Sequence, residues 1–416
     1  MSYKTYNNYK DSNIDWINKI PSNWSISRVK NISLIKSGES PKFNDNGKYE
    51  VIGANGKIGK TNRFNVSTNH IIIGRVGASG SVNISPEFAF ISDNAFIVTL
   101  NKHVDLKYSF YLFKSLDMNR LINKNAQPLL TASQIKNLFI PHATLNEQKQ
   151  IANYLDKKTA KINKTISKNK KLIELLEEKR TALINEVVTK GLNPDAPMKD
   201  SGVMWIGVIP EHWELKRLKY NCEVNPSNRK SVSNENLKIN FLPMEKVSED
   251  GSYDSKSMAF YNKISKGYTY FEDNDVLVAK ITPCFENGKS ALLKNLKYGF
   301  GFGSTEFHVL RFKENILPEF IYYLIKSYAF RTIGQAFMHG TAGQKRVGTD
   351  FIENYLMATP PIDEQIEIIE YLNDEINKLT EVIYKINENI NLLEEYKTSL
   401  IHHVVTGKVD VRGEEI

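Results

Sequence analysis

Ala54-Asn-Gly-Lys-Ile-Gly59-Lys60-Thr61 has the glycine and lysine spacing of a phosphate-binding loop, with alanine at the first glycine position. In such a loop, backbone N–H groups and the start of a helix hold the phosphates, so a strand must precede it and a helix must follow. A strand fits before it, but Asn62-Arg-Phe-Asn-Val-Ser-Thr-Asn69 has no helical periodicity and no acidic strand supplies a magnesium ligand. Gly299-Phe-Gly301-Phe-Gly303 has glycines of the kind that receive S-adenosylmethionine. An amino-methyltransferase also needs an Asp/Asn-Pro-Pro-aromatic loop to hold the target nitrogen, and the nearest sequence, Thr359-Pro-Pro361-Ile, sits at a helix entrance. These glycines are read as points where strands turn. Glu286-Asn-Gly-Lys289 lacks a partner carboxylate at nuclease spacing, and no His/Cys cluster suggests zinc. The chain shows no catalytic constellation of its own.

Three Gly-rich basic loops remain. Gly74-Arg75-Val-Gly77-Ala-Ser79-Gly80-Ser81 and Lys280-Ile-Thr-Pro-Cys-Phe-Glu-Asn287-Gly-Lys289 each follow an expected strand, and His339-Gly-Thr341-Ala-Gly-Gln344-Lys345-Arg346 follows a helix. Glycines let backbone approach a groove. Arg, Lys, Asn and Gln can read base edges, while Ser, Thr and Lys can hold phosphates. The candidate DNA-binding residues are therefore Lys57 of the first loop, Arg75, Ser79, Ser81, Lys280, Asn287, Lys289, Thr341, Gln344, Lys345 and Arg346.

These loops sit in a chain that is written twice. Leu145-Asn-Glu-Gln-Lys-Gln-Ile151 returns 217 positions later as Ile362-Asp-Glu-Gln-Ile-Glu-Ile368, and Leu175-Leu-Glu-Glu-Lys-Arg-Thr181 returns as Leu392-Leu-Glu-Glu-Tyr-Lys-Thr398. Ile151, Ile162, Ile173 and Ile184 recur every eleven residues, as do Ile368, Leu379, Ile390 and Ile401. Eleven residues over three turns describe a long, nearly straight amphipathic helix. Thr144 followed by Glu147 fits a capping box at its start, and Gly191 followed by Pro194 marks its end. A helix of about 45 residues rises ~70 Å, too long for an ordinary domain to cover, so its stripe is expected to pack on its own copy. Leu172, Leu175, Leu176, Leu392 and Leu393 widen the apolar face beyond one seam and are the candidate partner-binding residues.

The openings repeat too. Trp16-Ile-Asn-Lys-Ile-Pro21-Ser-Asn-Trp24 returns 189 positions later as Trp205-Ile-Gly-Val-Ile-Pro210-Glu-His-Trp213. Strands are expected at Tyr49–Gly53, His70–Gly74, Asn94–Thr99, Val276–Lys280 and Glu306–Arg311, followed by shorter helices around Tyr108–Asn123 and Glu319–Phe337. Insertions fall in the strand-rich middles, so the unit is a variable globular domain followed by a helix of fixed length. The expected boundaries are 1–143 and 193–360 for the two domains, with 144–192 and 361–416 for the helices and the tail. A pseudo-twofold axis across the paired helices would make them antiparallel and send the domains to opposite ends.

Composition narrows the class. An excess of 55 Lys and Arg over 47 Asp and Glu gives a net charge of +8, which favours a polyanionic partner, nucleic acid before membrane. The polar start, the lack of a long apolar run and only two cysteines, Cys222 and Cys284, fit a reducing cytoplasm.

Ile-Pro-x-x-Trp at each opening, Ile73-Gly-Arg-Val-Gly-Ala-Ser-Gly80, Ile281-Thr-Pro-Cys-Phe-Glu-Asn-Gly-Lys289, Gly303-Ser-Thr-Glu-Phe-His-Val-Leu-Arg311 and the doubled Glu-Gln helix start resemble the specificity subunit of type I restriction-modification systems. The resemblance covers nearly the whole chain. One departure is Pro141-His-Ala-Thr144, where the second copy has Thr359-Pro-Pro-Ile362. It implies an α+β fold of two strand-rich α/β target-recognition domains separated by a long antiparallel two-helix coiled coil, which acts as a ruler between two different DNA half-sites. A rod of ~70 Å matches about 20 base pairs. It further implies a non-catalytic subunit that binds double-stranded DNA, docks two methyltransferase subunits and leaves room for restriction subunits, with S-adenosylmethionine, ATP and Mg on those partners and none on this chain. The competing expectations are a DNA-binding scaffold without methyltransferase partners and an autonomous nucleotide-dependent enzyme.

Overall fold

A computed structural model describes residues 4–121, 129–230, 232, 234, 236–341 and 343–414. The chain forms two compact units, Met1–Lys170 with Asn387–Ile416 and Lys171–Ile386. Each therefore takes one domain together with half of each long helix.

The same framework appears in both. In unit 1 the strands Ser33–Ser37, Ala95–Leu100, Ile71–Gly74 and Val82–Ile84 form an antiparallel sheet in that order. In unit 2 Cys222–Val224, Phe307–Phe312, Val276–Ala279 and Ser290–Leu292 repeat it. A second sheet in each unit has one parallel pair, Tyr49–Gly53 with Phe90–Ile91 and Lys238–Leu242 with Phe300–Gly303. The inner strands are buried on both faces, and Ile71–Ile73 and Val276–Ala279 accordingly read as continuous apolar runs rather than as alternating ones. Unit 2 closes a core in which Trp213, Phe320 and Phe330 meet Ile184, Val188, Ile368 and Leu372 of the long helices.

The long helices run Leu145–Lys190 and Ile362–Val405. Seven of the eight residues of the eleven-residue stripe are buried, at Ile151, Ile162, Ile184, Ile368, Leu379, Ile390 and Ile401, and Ile173 is half-buried. In unit 1 the two helices run in opposite directions, since Lys397 donates to Asn163 at 3.0 Å and Asn169 to Asn389 at 3.1 Å. Gly191, at φ +73°, ends the first helix by donating to the Val187 carbonyl at 3.0 Å.

The doubled Glu-Gln start is a piece of internal carpentry. Gln148 is fully buried, donates to the Ala143 carbonyl at 2.8 Å and accepts from the Asp105 N–H at 2.8 Å, at the start of the helix Leu106–Ser115. Gln365 repeats this, donating to Pro360 and accepting from the Leu317 N–H at the start of Pro318–Lys326. A tyrosine completes each brace: Tyr111 donates to Asp156 at 2.8 Å and Tyr323 to Asn373 at 2.5 Å.

Three local expectations are corrected. Only half of the capping box forms: Thr144 accepts from the Glu147 N–H at 3.4 Å, but the buried Glu147 carboxylate accepts instead from the Tyr6 hydroxyl at 2.7 Å and the Asn23 amide at 3.3 Å. The helix expected to reach Asn123 ends at Ser115, where Leu116 is extended, and a 3-10 turn follows at Met118–Leu121; Asn123 itself lies outside the described residues. The helix expected over Glu319–Phe337 is two, Pro318–Lys326 and Tyr328–Ala336, because extended Ser327 donates its N–H to Leu324 and caps Phe330 with its hydroxyl.

Candidate nucleic-acid interface

The two basic loops that follow strands leave from the same place in the two units. Arg75 follows Ile71–Gly74, and its N–H donates to the Asn94 carbonyl at 2.8 Å while its own carbonyl accepts from Leu130 at 3.2 Å. Lys280 follows Val276–Ala279, donates to the Glu306 carbonyl at 2.7 Å and accepts from Val347 at 2.9 Å. One backbone socket thus presents two different cations.

In unit 1 the loop folds on itself. Gly80 donates to the Gly74 carbonyl at 2.8 Å, the Ser79 hydroxyl donates to the Arg75 carbonyl at 2.8 Å, and the Ser81 hydroxyl bonds the Ala54 carbonyl. Ser79 and Ser81 therefore hold the loop rather than leaving both hydroxyls to a ligand. Gly80, at φ +84°, lies so close to Met118 that a Cβ would approach its side chain at 2.6 Å. Arg75 stays half-exposed, 5.9 Å above the Phe96 ring and 3.4 Å from the Ser37 hydroxyl. Lys57 stands on an adjacent hairpin of Tyr49–Gly53 and Gly56–Thr61, in an ion pair with Glu50 at 2.6 Å. That hairpin continues as strand where a phosphate loop would require a helix.

In unit 2 the two remaining loops come together. Arg346 bridges to both Ile281 and His339, and Thr282 donates to the Lys345 carbonyl at 3.0 Å. Thr341, Gln344, Lys345 and Arg346 are exposed, and Arg346 is held by a fork to Glu306, Nη2 to Oε1 at 2.8 Å and Nε to Oε2 at 2.9 Å. The Glu306 carboxyl is held below its usual range by that guanidinium. Burial lowers the pKa of Lys280, whose ammonium donates to the Thr305 carbonyl at 3.0 Å. Asn287 and Lys289 point elsewhere, to Glu249 at 2.6 Å and to the Met244 carbonyl at 3.0 Å. The described structure thus groups Lys280 with Thr341–Arg346 and separates Asn287 and Lys289 from them.

Sequence reasoning passed over two residues beneath these loops. His308 is buried; its Nε2–H donates to the Val347 carbonyl at 3.0 Å and its Nδ1 accepts from the Asn225 amide at 3.2 Å. Burial pushes it down to about 4. Glu306 sets the geometry of Arg346. The signal for both was Gly303-Ser-Thr-Glu-Phe-His-Val-Leu-Arg311, read only as a strand and a resemblance. On the long helices, Leu172, Leu175 and Leu392 are exposed at 44%, 49% and 61%, and Leu176 and Leu393 are half-buried, so this leucine edge lies outside the buried stripe. Among the described residues no metal-holding group of His, Cys, Asp and Glu occurs, and no helix is long and apolar enough to cross a membrane.

Comparison with known proteins agrees with the duplication. The family model for the type I restriction modification DNA specificity domain matches twice, at residues 21–175 and 210–392. The type I restriction enzyme EcoEI specificity subunit of Escherichia coli is 40% identical over 164 residues, 39% of this chain and 27% of that protein. The chain thus spans about a quarter of the length of the first E. coli relatives it matches. The putative type I restriction enzyme MjaX specificity subunit of Methanocaldococcus jannaschii is 26% identical over 97% of this chain and 98% of its own. A solved chain from a study of complex assembly and conformational transition in the type I R-M system shares the fold, with a TM-score of 0.68 at 14% identity over 94% of this chain and 100% of that one. The HsdS subunit of Thermoanaerobacter tengcongensis gives 0.50 at 13% identity over 94% and 98%. With two family domains that together fill most of its length, the chain belongs to the type I restriction-modification DNA specificity family.

Proposed function

We propose that this chain is the sequence-reading subunit of a type I restriction-modification complex, recognising an asymmetric, split DNA target. The observation that carries this reading is the shared socket: equivalent strands end in Arg75 in one unit and Lys280 in the other, on a repeated framework with different loops. A repeated framework supports two readings of DNA by one geometry, and different loops support two different half-sites. Residues 1–143 and 193–360 are the two target-recognition domains, and 144–192 with 361–416 form the antiparallel two-helix coiled coil that fixes the spacer.

The chain itself is not an enzyme in this reading. Its leucine edge, Leu172, Leu175, Leu176, Leu392 and Leu393, docks two methyltransferase subunits in the cytoplasm. Those subunits supply S-adenosylmethionine and flip the target adenine, and restriction subunits with ATP and Mg join them to cut unmodified DNA.

The test is to co-express the chain with its methyltransferase and map N6-methyladenine across the host DNA. The expected result is a split motif. Arg75→Ala should relax one half-site and Lys280→Ala the other, each by roughly 10- to 100-fold in discrimination, with the spacer unchanged. Equal loss at both half-sites, or one continuous motif, overturns the reading.

A further inference from the structure

Each unit also holds a cleft, apart from Arg75 and Lys280, that is lined by both cations and carboxylates. In unit 2 a cleft of about 670 Å³ is lined by Arg180 of the first long helix and by Lys326 and Arg331 of the domain. In unit 1 a cleft of about 620 Å³ is lined by Lys397 of the second long helix and by Lys114 of the domain. Arg180 and Lys397 are equivalent in the doubled helix, as Lys326 and Lys114 are in the doubled Tyr-Leu-x-Lys-Ser. The duplication has therefore kept two cations facing one cleft in both units.

Like charges at one cleft repel, and carboxylates relieve this only in part: Asp250 and Glu249 favour the charged form of Lys326 without pairing with it, and Glu177 pairs with Arg180. Among the described residues none of Lys326, Arg331, Lys114 and Lys397 has a carboxylate within ion-pair distance. Among the described residues Lys326 donates to the carbonyls of Glu249 at 2.6 Å and Gly288 at 3.1 Å. The buried Nε of Arg331 has no partner among the described residues. The acidic groups in the unit 2 cleft are occupied: Glu249 by Asn287, Asp250 by Ser252 at 2.7 and 2.8 Å, and Glu177 by Arg180 at 3.3 Å. In unit 1 Lys397 donates to Asn163 at 3.0 Å, and Glu394 and Glu395 stand on the same cleft. Burial and then Arg180 push Lys326 down to about 8, and burial and then Lys397 lower Lys114. A tetrahedral oxyanion meets these needs together, accepting from ammonium and guanidinium at once.

We propose that each cleft binds one phosphate group, with Lys326, Arg331 and Arg180 holding it in unit 2 and Lys114 and Lys397 in unit 1. The phosphate is either a free anion or a DNA backbone phosphate beyond the base-reading loops. Only the second source rests on the DNA-recognition reading.

The full chain is titrated with inorganic phosphate by calorimetry, at constant ionic strength held with chloride. Two sites are expected, with Lys326→Gln/Arg331→Gln abolishing one and Lys114→Gln/Lys397→Gln the other, each falling roughly tenfold or more. In parallel, the salt dependence of binding to a duplex is measured. A slope reduced by about one per altered cleft, with sequence preference kept, identifies the DNA backbone as the source. An unchanged slope with phosphate binding lost identifies a free anion. Absence of phosphate binding by the wild-type chain together with an unchanged slope in both variants overturns the proposal. A chain that binds no duplex but still binds phosphate defeats the DNA reading and leaves the cleft standing.

Discussion

Unit 1 and unit 2 place different residues at the same register beneath their cation. Phe96 pairs with Ile73 in one sheet, and His308 pairs with Val278 in the other. Above Phe96 the Arg75 guanidinium lies over a ring; near His308 a partly buried Lys280 ammonium adds to the cost of charging the imidazole. The difference teaches that the framework constrains backbone and burial but leaves the chemistry under the loop free to change. A ring that stacks and a ring that hydrogen-bonds fill equivalent space.

Acid should break this equivalence most strongly. His308 is satisfied as the neutral ring, donating to Val347 and accepting from Asn225, and protonation would set two donors against each other. Its folded pKa, about 4, lies below the ordinary value of 6.5, so the unfolded chain takes up the proton first. The stability His308 contributes is complete above pH 6.5 and is lost as pH falls from there to about 4, by about 3 kcal/mol. Urea denaturation at pH 7 and pH 4 should show that loss in the wild type and a smaller one in His308→Phe, which installs the unit 1 residue. Equal losses would sever the acid response from this ring.

The domain openings supply the next contrast. Trp213 and Trp24 are both fully buried, but Trp213 donates its indole N–H to Glu364 at 2.8 Å, while the indole N–H of Trp24 has no partner among the described residues. Glu147, which stands where Glu364 does, is taken by Tyr6 and Asn23. Replacing either indole by phenylalanine removes similar volume, so the difference isolates one bond to a carboxylate. Trp213→Phe should cost about 1.5 kcal/mol more than Trp24→Phe. Denaturation midpoints at equal m-values measure it, and equal costs would show that the bond to Glu364 carries no net stability.

The duplication, the long helices and the inner strands were legible because they rest on periodicity and on apolar runs, which survive in one dimension. The doubled Glu-Gln was legible as a repeat but not as a function, because its partners, Asp105 and Leu317, lie far away in sequence and are backbone groups. Ser327 was legible in principle, as a serine three residues before Phe330, but the apolar pattern runs on through it and favoured one helix. The candidate loops were found by composition alone. Composition could not separate Arg75, half-exposed at a strand end, from Ser81, whose hydroxyl is spent on Ala54, or bring Lys280 beside Arg346.

The tyrosine braces allow the finest comparison, because they differ in the charge of the acceptor and in one added hydroxyl contact. Tyr111 donates to the Asp156 carboxylate, and Tyr323 to the neutral amide of Asn373. Both phenols are pushed up to about 12 by burial, so both remain protonated donors at any pH at which the chain would be studied. A bond to an ionised acceptor is worth more than one to a neutral acceptor, and Tyr111 has a second contact with the Thr159 hydroxyl at 3.0 Å. Tyr111→Phe should therefore cost about 1 kcal/mol more than Tyr323→Phe. Hydrogen exchange should localise each loss, with faster exchange in Leu106–Ser115 for the first variant and in Pro318–Lys326 for the second. If Asp156→Asn, which gives both tyrosines a neutral amide acceptor, leaves the difference intact, then charge is not what distinguishes them and the Thr159 contact is.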